Sequence, residues 1–273
     1  MPRNVGGMEQ FESSGGTVSW SRSGTGPPVV LMHGTPFSSF VWRDIAAALS
    51  RRYEVFVWDM PGYGRSAMVD GQDVSLGAQG AIVTELLGHW GLDAPSVVAH
   101  DFGGAVALRA HLLHGARYAK LALVDAVAVA PWGSPFFRLV RDNASVFEQL
   151  PPHLHAALVR EYVSTASGPG LRPDVLEALV SPWLGEVGQA AFYRQIAQAD
   201  QRYTDEFAPL FGSMDLPTLV CWGEADSWLP VERGKDLASR IPGATMCTFP
   251  GAGHLLQEDA PAGLTATLLE FLA

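Results

Sequence analysis

This chain has few cysteines, few positive charges and no long apolar run, and each shortage excludes a class of protein. Its 273 residues include only Cys221 and Cys247. Both lie in strand-like runs, so they read as buried thiols of a reducing compartment rather than a disulfide framework. Lys and Arg number 18 against 28 Asp and Glu, a formal net charge of −10. That balance argues against a phosphate-binding surface and against nucleic acid as a partner. No apolar run reaches the ~18 residues of a membrane span. The opening Met1-Pro-Arg-Asn-Val-Gly-Gly7 lacks the apolar centre of a secretion signal. The expectation is a cytoplasmic protein with no membrane partner, as a monomer or homodimer.

What is present is apolar and alternating. Hydrophobic residues make up 48% of the chain, enough for one large domain or a domain with an insertion. Val29–Met32, Val55–Trp58, Val97–Ala99, Leu121–Val124, Thr218–Trp222 and Met246–Phe249 read as strands buried on both faces. Between them, Ser39–Leu49, Leu76–Trp90 and Gly104–His114 have apolar positions at helical spacing. The alternation predicts a doubly wound α/β sheet, whose sites form at the carboxyl ends of its strands. It breaks between Val127 and Ser213, where prolines and aromatics are frequent and strand-like runs vanish. The predicted organisation is a core of residues 1–126 and 214–273 with a helical cap, or lid, over 127–213. An aromatic-lined lid suits a small apolar or aromatic organic substrate, although packing alone explains any single aromatic.

Three strand-end segments carry the chemistry. Ser96–Ala105 reads as a strand, a tight turn and a helix, with Asp101 at the apex and Ala99, Gly103 and Gly104 around it. Small residues at those offsets let strand and helix approach across a strained turn. Gly223-Glu-Ala-Asp226 follows the strand ending at Trp222, and Gly251-Ala-Gly-His254 follows the last strand. Asp101, Asp226 and His254 therefore share one sheet edge and can converge. No G-x-S-x-G stands elsewhere to offer a serine nucleophile. His153, His155, His111 and His114 lack nearby cysteines or carboxylates at ligand spacing, so no metal is expected.

With these motifs the chain resembles the Asp-nucleophile branch of the α/β-hydrolase fold, which includes haloalkane dehalogenases and epoxide hydrolases. The likeness runs from His33-Gly-Thr-Pro36 through Asp59-Met-Pro-Gly-Tyr-Gly-Arg-Ser66 and His100-Asp-Phe-Gly-Gly104 to Gly253-His254. It implies a mostly parallel sheet flanked by helices, a helical cap insertion and no cofactor. Asp101, ionised at neutral pH, is a nucleophile without a base, and attack on an sp³ carbon gives a stable alkyl ester. His254, oriented by Asp226, then activates water to hydrolyse it. By the same resemblance the backbone N–H groups of Phe102 and Thr35 form the oxyanion hole, while His33 and His100 orient their turns. Asp125, at the end of the strand Leu121–Val124, is the alternative acid; the Gly-Glu-Ala-Asp context favours Asp226.

The leaving group decides between enzymes. Haloalkane dehalogenases supply N–H donors from a Trp after the nucleophile and an Asn in the His-Gly-Asn-Pro turn; here these are Phe102 and Thr35. Trp132 or Trp183 of the lid would have to compensate. Epoxide hydrolases use lid tyrosines as acids, one within an aromatic-Tyr-Arg segment. Phe192-Tyr-Arg194 makes Tyr193 the candidate acid, with Tyr162 or Tyr203 as its partner. The leading expectation is an epoxide hydrolase giving a diol. The alternatives are a haloalkane or haloacid dehalogenase, and a ligand-binding homologue without activity.

Overall fold

A computed structural model describes residues 7–273; the opening segment read above for a secretion signal lies, but for Gly7, outside the described residues. Eight strands form one sheet: β1 (Glu9–Ser13), β2 (Gly16–Ser23), β3 (Pro28–Met32), β4 (Glu54–Trp58), β5 (Ser96–His100), β6 (Lys120–Val124), β7 (Thr218–Gly223) and β8 (Thr245–Phe249). Their order across the sheet is β1-β2-β4-β3-β5-β6-β7-β8. β3 to β8 run parallel, and β1 and β2 are antiparallel. The six expected strands are those of the parallel region.

The antiparallel pair escaped the search for apolar runs for a physical reason. β1 is Glu-Gln-Phe-Glu-Ser, an edge strand with largely exposed side chains that gains pairing rather than burial. A two-residue loop, Ser14-Gly15, joins it to β2, and Gly16 takes φ +111° to begin the return. At the other edge, β8 is only half-buried, and Cys247 on it is half-buried too, whereas Cys221 on β7 is buried. The expectation of two-sided burial holds inside the sheet and fails at its border.

The helices that position the site have ordinary chemical boundaries. Helix Leu76–Trp90 starts where the Ser75 hydroxyl accepts from Ala78 N–H and stops at Gly91, φ +68°. It buries Ile82, Val83, Leu86 and Leu87, each contributing roughly 1.5–3 kcal/mol when removed from water. Helix Phe102–His114 lies against it, and no side chain from Phe102 to Ala110 is exposed.

Residues between β6 and β7 form helices Pro135–Asp142, Ala144–Phe147, Pro152–Ser164, Pro173–Val180, Gly185–Ala197 and Arg202–Asp205. Pro135, Pro152 and Pro173 each occupy a first helical turn, where the missing N–H costs nothing. Most aromatics of this stretch are packing: Trp183, Phe192, Tyr193, Phe207 and Phe211 are all buried. The stretch is tied down by Trp183 Nε1–H to Pro36 O (2.8 Å), Val74 N–H to Gln198 Oε1 (2.7 Å), and Arg109 to Glu206 (2.6 Å). Among the described residues, no helix is long and apolar enough to cross a membrane.

Candidate active site

Parallel register brings four loops together. His100 pairs with Val124, Val124 with Cys221, and Gly223 with Phe249, so β5 to β8 end along one edge. Asp101, Asp125, Asp226 and His254 follow those ends.

Asp101 sits in a backbone conformation of φ 51°, ψ −120°, rare for a residue with a side chain and costing about 1–3 kcal/mol. The surroundings enforce it. Asp101 N–H donates to Val124 O (3.1 Å), and Asp101 O accepts from Gly104 and Val127 N–H (2.9 and 3.1 Å). A methyl group on Gly103 would come within 2.5 Å of His33 O, and one on Gly104 within 2.5 Å of the Ala126 side chain. Gly34 is equally constrained, since a Cβ there would lie 2.3 Å from the Asp101 side chain. The small residues around the elbow are close-approach requirements.

The carboxylate meets two kinds of partner. Thr35 N–H donates to Oδ1 at 2.7 Å, and Phe102 N–H also favours the ionised form. His254 Nε2 lies 3.4 Å from Oδ2, within ion-pair range but poorly aligned for a hydrogen bond, which leaves Nε2 free to hold a third group. On its other side His254 Nδ1 contacts Asp226 Oδ2 at 2.8 Å. Asp226 Oδ1 accepts from Trp228 and Leu229 N–H (2.7 and 2.9 Å), an Asx-type turn that fixes the carboxylate. His254 is thus enclosed by Asp101, Asp226, His100, Phe37 and Trp228.

Electrostatics follow from this enclosure. Burial pushes the Asp101 carboxyl up, but the close approach and charge of His254 outweigh it and hold the group below its ordinary value. Burial pushes His254 down, yet the two flanking carboxylates, Asp226 first, carry it well above its ordinary value. These shifts favour the charged forms of Asp101 and His254 together. His100, buried beside that charge, falls to about 3 and is neutral; its Nε2–H donates to His254 O at 2.9 Å. His33, lowered by burial, is also neutral, with Nδ1–H to Gly34 O and Nε2 accepting from Met60 N–H (both 2.9 Å). Both histidines brace turns.

Asp125 stands apart from this chain of contacts. Its Oδ1 accepts from Gly223 N–H at 2.8 Å, Oδ2 has no partner, and φ is 40°. Burial, reinforced by the charge of Asp226, raises its carboxyl well above the usual range and favours its neutral form. The carboxylate against His254 is that of Asp226.

A chamber of about 20 Å³, room for one water, lies beside Asp101. Thr35, Phe102, Val127, Phe137, Trp132, Tyr162 and Trp228 are among its walls. The lid residues named from sequence take unequal places. Tyr162 lines the chamber, its hydroxyl forms no hydrogen bond to the described residues, and burial together with the Asp101 charge raises its pKa well above the ordinary value. Tyr193 does not line it. His155 Nε2–H donates to Trp183 O (2.8 Å), so Nδ1 is an acceptor and takes the Tyr193 proton at 2.9 Å. Burial alone pushes Tyr193 up to about 12. Tyr203, its hydroxyl against Arg202, is outside the chamber as well. The expectation that Tyr193 faces the nucleophile is therefore corrected: on an α-helix, residues two apart point roughly 200° apart, and Gln195 is the one that reaches the site. Thr35 Oγ1 and Tyr63 OH lie 2.6 and 3.1 Å from Gln195 Oε1.

The tryptophans likewise use their N–H groups elsewhere. Trp132 donates to Thr204 Oγ1 (2.9 Å), Trp183 to Pro36 O (2.8 Å) and Trp228 to Thr165 Oγ1 (2.9 Å). Trp228 was not anticipated from the sequence, although the turn Asp226-Ser-Trp places it two residues from the acid. Its indole stacks on His254 (5.0 Å, 29°) and on Tyr162 (4.4 Å, 6°). Gln195 had no sequence signal, because its role depends on how the helix docks. Among the described residues, no cluster of three His, Cys, Asp or Glu side chains could hold a metal ion.

The comparisons with known proteins agree with this architecture. The family model for the alpha/beta hydrolase fold matches residues 27–261. A crystal structure of an alpha/beta hydrolase fold protein from Burkholderia ambifaria is 48% identical, with a TM-score of 0.93, and the match covers 96% of this chain and 97% of that one. Haloalkane dehalogenase 2 of Mycobacterium tuberculosis is 27% identical over 95% of this chain and 93% of its own. The non-heme haloperoxidase of Rhodococcus erythropolis is 28% identical over 95% and 97%. The chain belongs to the α/β-hydrolase fold family.

Proposed function

We propose that this protein is a cofactor-independent hydrolase that forms an alkyl ester on Asp101, and that the electrophile is an epoxide. The observation that carries the reading is the carboxylate at the elbow, held by Thr35 N–H and faced by the His254–Asp226 pair. Residues 127–213 serve as the cap in this reading. Attack on an ordinary ester carbonyl would give an anhydride with little gain, whereas attack on a saturated carbon gives a stable ester.

The steps use the groups in place. Asp101 Oδ2, the oxygen not held by Thr35, attacks an epoxide carbon and the ring C–O bond breaks. The departing oxygen takes the proton of Tyr162. Ester formation removes the Asp101 charge, one of the two supports of the imidazolium, so His254 gives up its proton, which restores the Tyr162 hydroxyl. Neutral His254 then takes a proton from water as it adds to the Asp101 carbonyl carbon, and the N–H groups of Thr35 and Phe102 hold the oxyanion. On collapse the departing alkoxide takes the His254 proton, which releases the diol; the new Asp101 carboxyl, carrying one water oxygen, returns its proton to His254.

Epoxide is favoured over halide because the chamber offers a free hydroxyl and no free indole N–H. A second reading, haloalkane dehalogenation, draws on the likeness to haloalkane dehalogenase 2. A single turnover in ¹⁸O-water tests the shared step: the Asp101 peptide should gain the label, and an unlabelled peptide sinks the ester. Diol formation from epoxides, set against halide release from haloalkanes, then separates the two readings.

A further inference from the structure

Beyond the chamber lies a second space. A cleft of about 360 Å³ opens outside it, within the range of small-ligand pockets. Tyr162, Trp228 and Ser134 line both spaces, so the two stacked rings are their common wall. The chamber is too small for the body of an organic substrate. The cleft is not, and its walls define what fits. Phe136, Leu158, Tyr162 and Trp228 give it an aromatic and aliphatic surface, with the Phe136 and Tyr162 rings 5.0 Å apart and tilted by 47°. Glu161 is its one charged wall, in a chain of net charge −10 whose nucleophile is itself an anion.

We infer that the outer cleft is the subsite for the body of the substrate, and that this body is a planar, apolar group without negative charge. Its small reactive end reaches along the shared border of Ser134, Tyr162 and Trp228 toward Asp101, while the planar part stays against Phe136 and Leu158. This rests on the proposed hydrolase reading for the identity of the reactive end, and it excludes small haloacids as substrates. Three observations converge: a chamber too small for the substrate, a cleft of sufficient size sharing its wall, and a carboxylate at the cleft.

Binding of unreactive probes to the wild-type protein, followed by calorimetry, tests the subsite without any chemistry. 2-Methoxynaphthalene should bind at least tenfold more tightly than 2-naphthoate. Leu158→Trp, which fills the cleft, should weaken the neutral probe at least tenfold. Glu161→Gln, at an exposed position, should narrow the preference against naphthoate at least threefold. Equal affinity for the two probes, or neutral-probe binding indifferent to Leu158→Trp, overturns the inference; so does a preference that Glu161→Gln leaves intact. The probes carry no electrophile, so their binding stands or falls independently of the Asp101 ester. A labelled Asp101 with no probe binding removes only the subsite, and probe binding with an unlabelled Asp101 removes only the hydrolase reading.

Discussion

The sheet edge and the helices above it use their polar groups in opposite ways. At the edge, groups from different loops point at one another: Thr35 at Asp101, Asp101 at His254, His254 at Asp226, His100 at the His254 carbonyl. In the helical stretch, polar groups satisfy neighbours and face inward: Tyr193 to His155, His155 to Trp183, Trp132 to Thr204. Parallel register explains the first pattern, since it sets strand ends side by side and makes order along the chain into adjacency in space. Helices packed on helices have no such register. Chemistry built on the edge is therefore fixed by many partners, and chemistry borrowed from the helices rests on single side chains.

Substitutions can break that contrast at its strong end first. Asp101→Asn should abolish turnover, a loss of at least about 10⁴-fold in kcat, because nothing else at the edge can form the ester. His254→Gln should lower steady-state turnover by about 10³–10⁴-fold while still permitting the first half-reaction. Intact-protein mass spectrometry should then find the alkyl adduct accumulating on Asp101. Sustained multiple turnover by the His254 variant would remove it as the base.

Asp226→Asn comes next, with an expected loss of about 10³-fold. It also has a signature in stability. His254 has a folded pKa above its ordinary 6.5, so its ion pairs stabilise the native state fully below pH 6.5. That contribution fades as pH rises through the folded value. Thermal melts of the wild type should accordingly lose stability as pH rises above 6.5, and the Asp226→Asn protein should lose less. Parallel melting curves for the two proteins would refute the coupling.

This contrast also explains what the sequence revealed. Asp101, Asp226 and His254 each follow an apolar run, and a strand end is a position that composition and spacing can find. The central strands were legible for the same reason. β1 was not, because Glu9, Gln10 and Glu12 gain backbone pairing rather than burial, and pairing leaves no apolar signature. Tyr193 was placed at the site by its aromatic-Tyr-Arg segment, which does not show which side of the helix faces Asp101. Gln195, two residues on, holds that side. Trp228 belongs between these cases: the Asx-type turn at Asp226 fixes its backbone, but only the packed structure shows its ring between His254 and Tyr162.

The weaker end of the contrast is tested by two tyrosines. Tyr162→Phe should slow epoxide opening by about 10²-fold, the usual value of one general acid. Tyr193→Phe should change the rate less than about threefold. It leaves His155 Nδ1 without its donor, so its cost appears as roughly 1–3 kcal/mol of stability instead. Rapid-quench measurement of ring opening separates rate from folding. If Tyr193→Phe is the slower variant, the proton donor is on the other face of the helix and the assignment of Tyr162 fails.

The smallest effect belongs to Asp125, the one carboxyl of the edge that stands outside the chain of charges. Its pKa is raised well above 3.8 by burial and by Asp226, so folding favours proton uptake there as pH rises above 3.8. The sign follows directly. A raised carboxyl favours the native state fully below its unfolded value of 3.8, and that favour is lost as pH climbs toward the folded value. Asparagine can still accept from Gly223 N–H, the contact Oδ1 makes now, and it has no proton to take up. Asp125→Asn should therefore raise the melting temperature at pH 7–8 by about 2–4 °C, equivalent to roughly 1 kcal/mol in a chain of this size. Near pH 4 the difference between the two proteins should vanish. A gain that persists unchanged at pH 4 would mean that packing or hydrogen bonding, not protonation, separates Asp125 from Asp226.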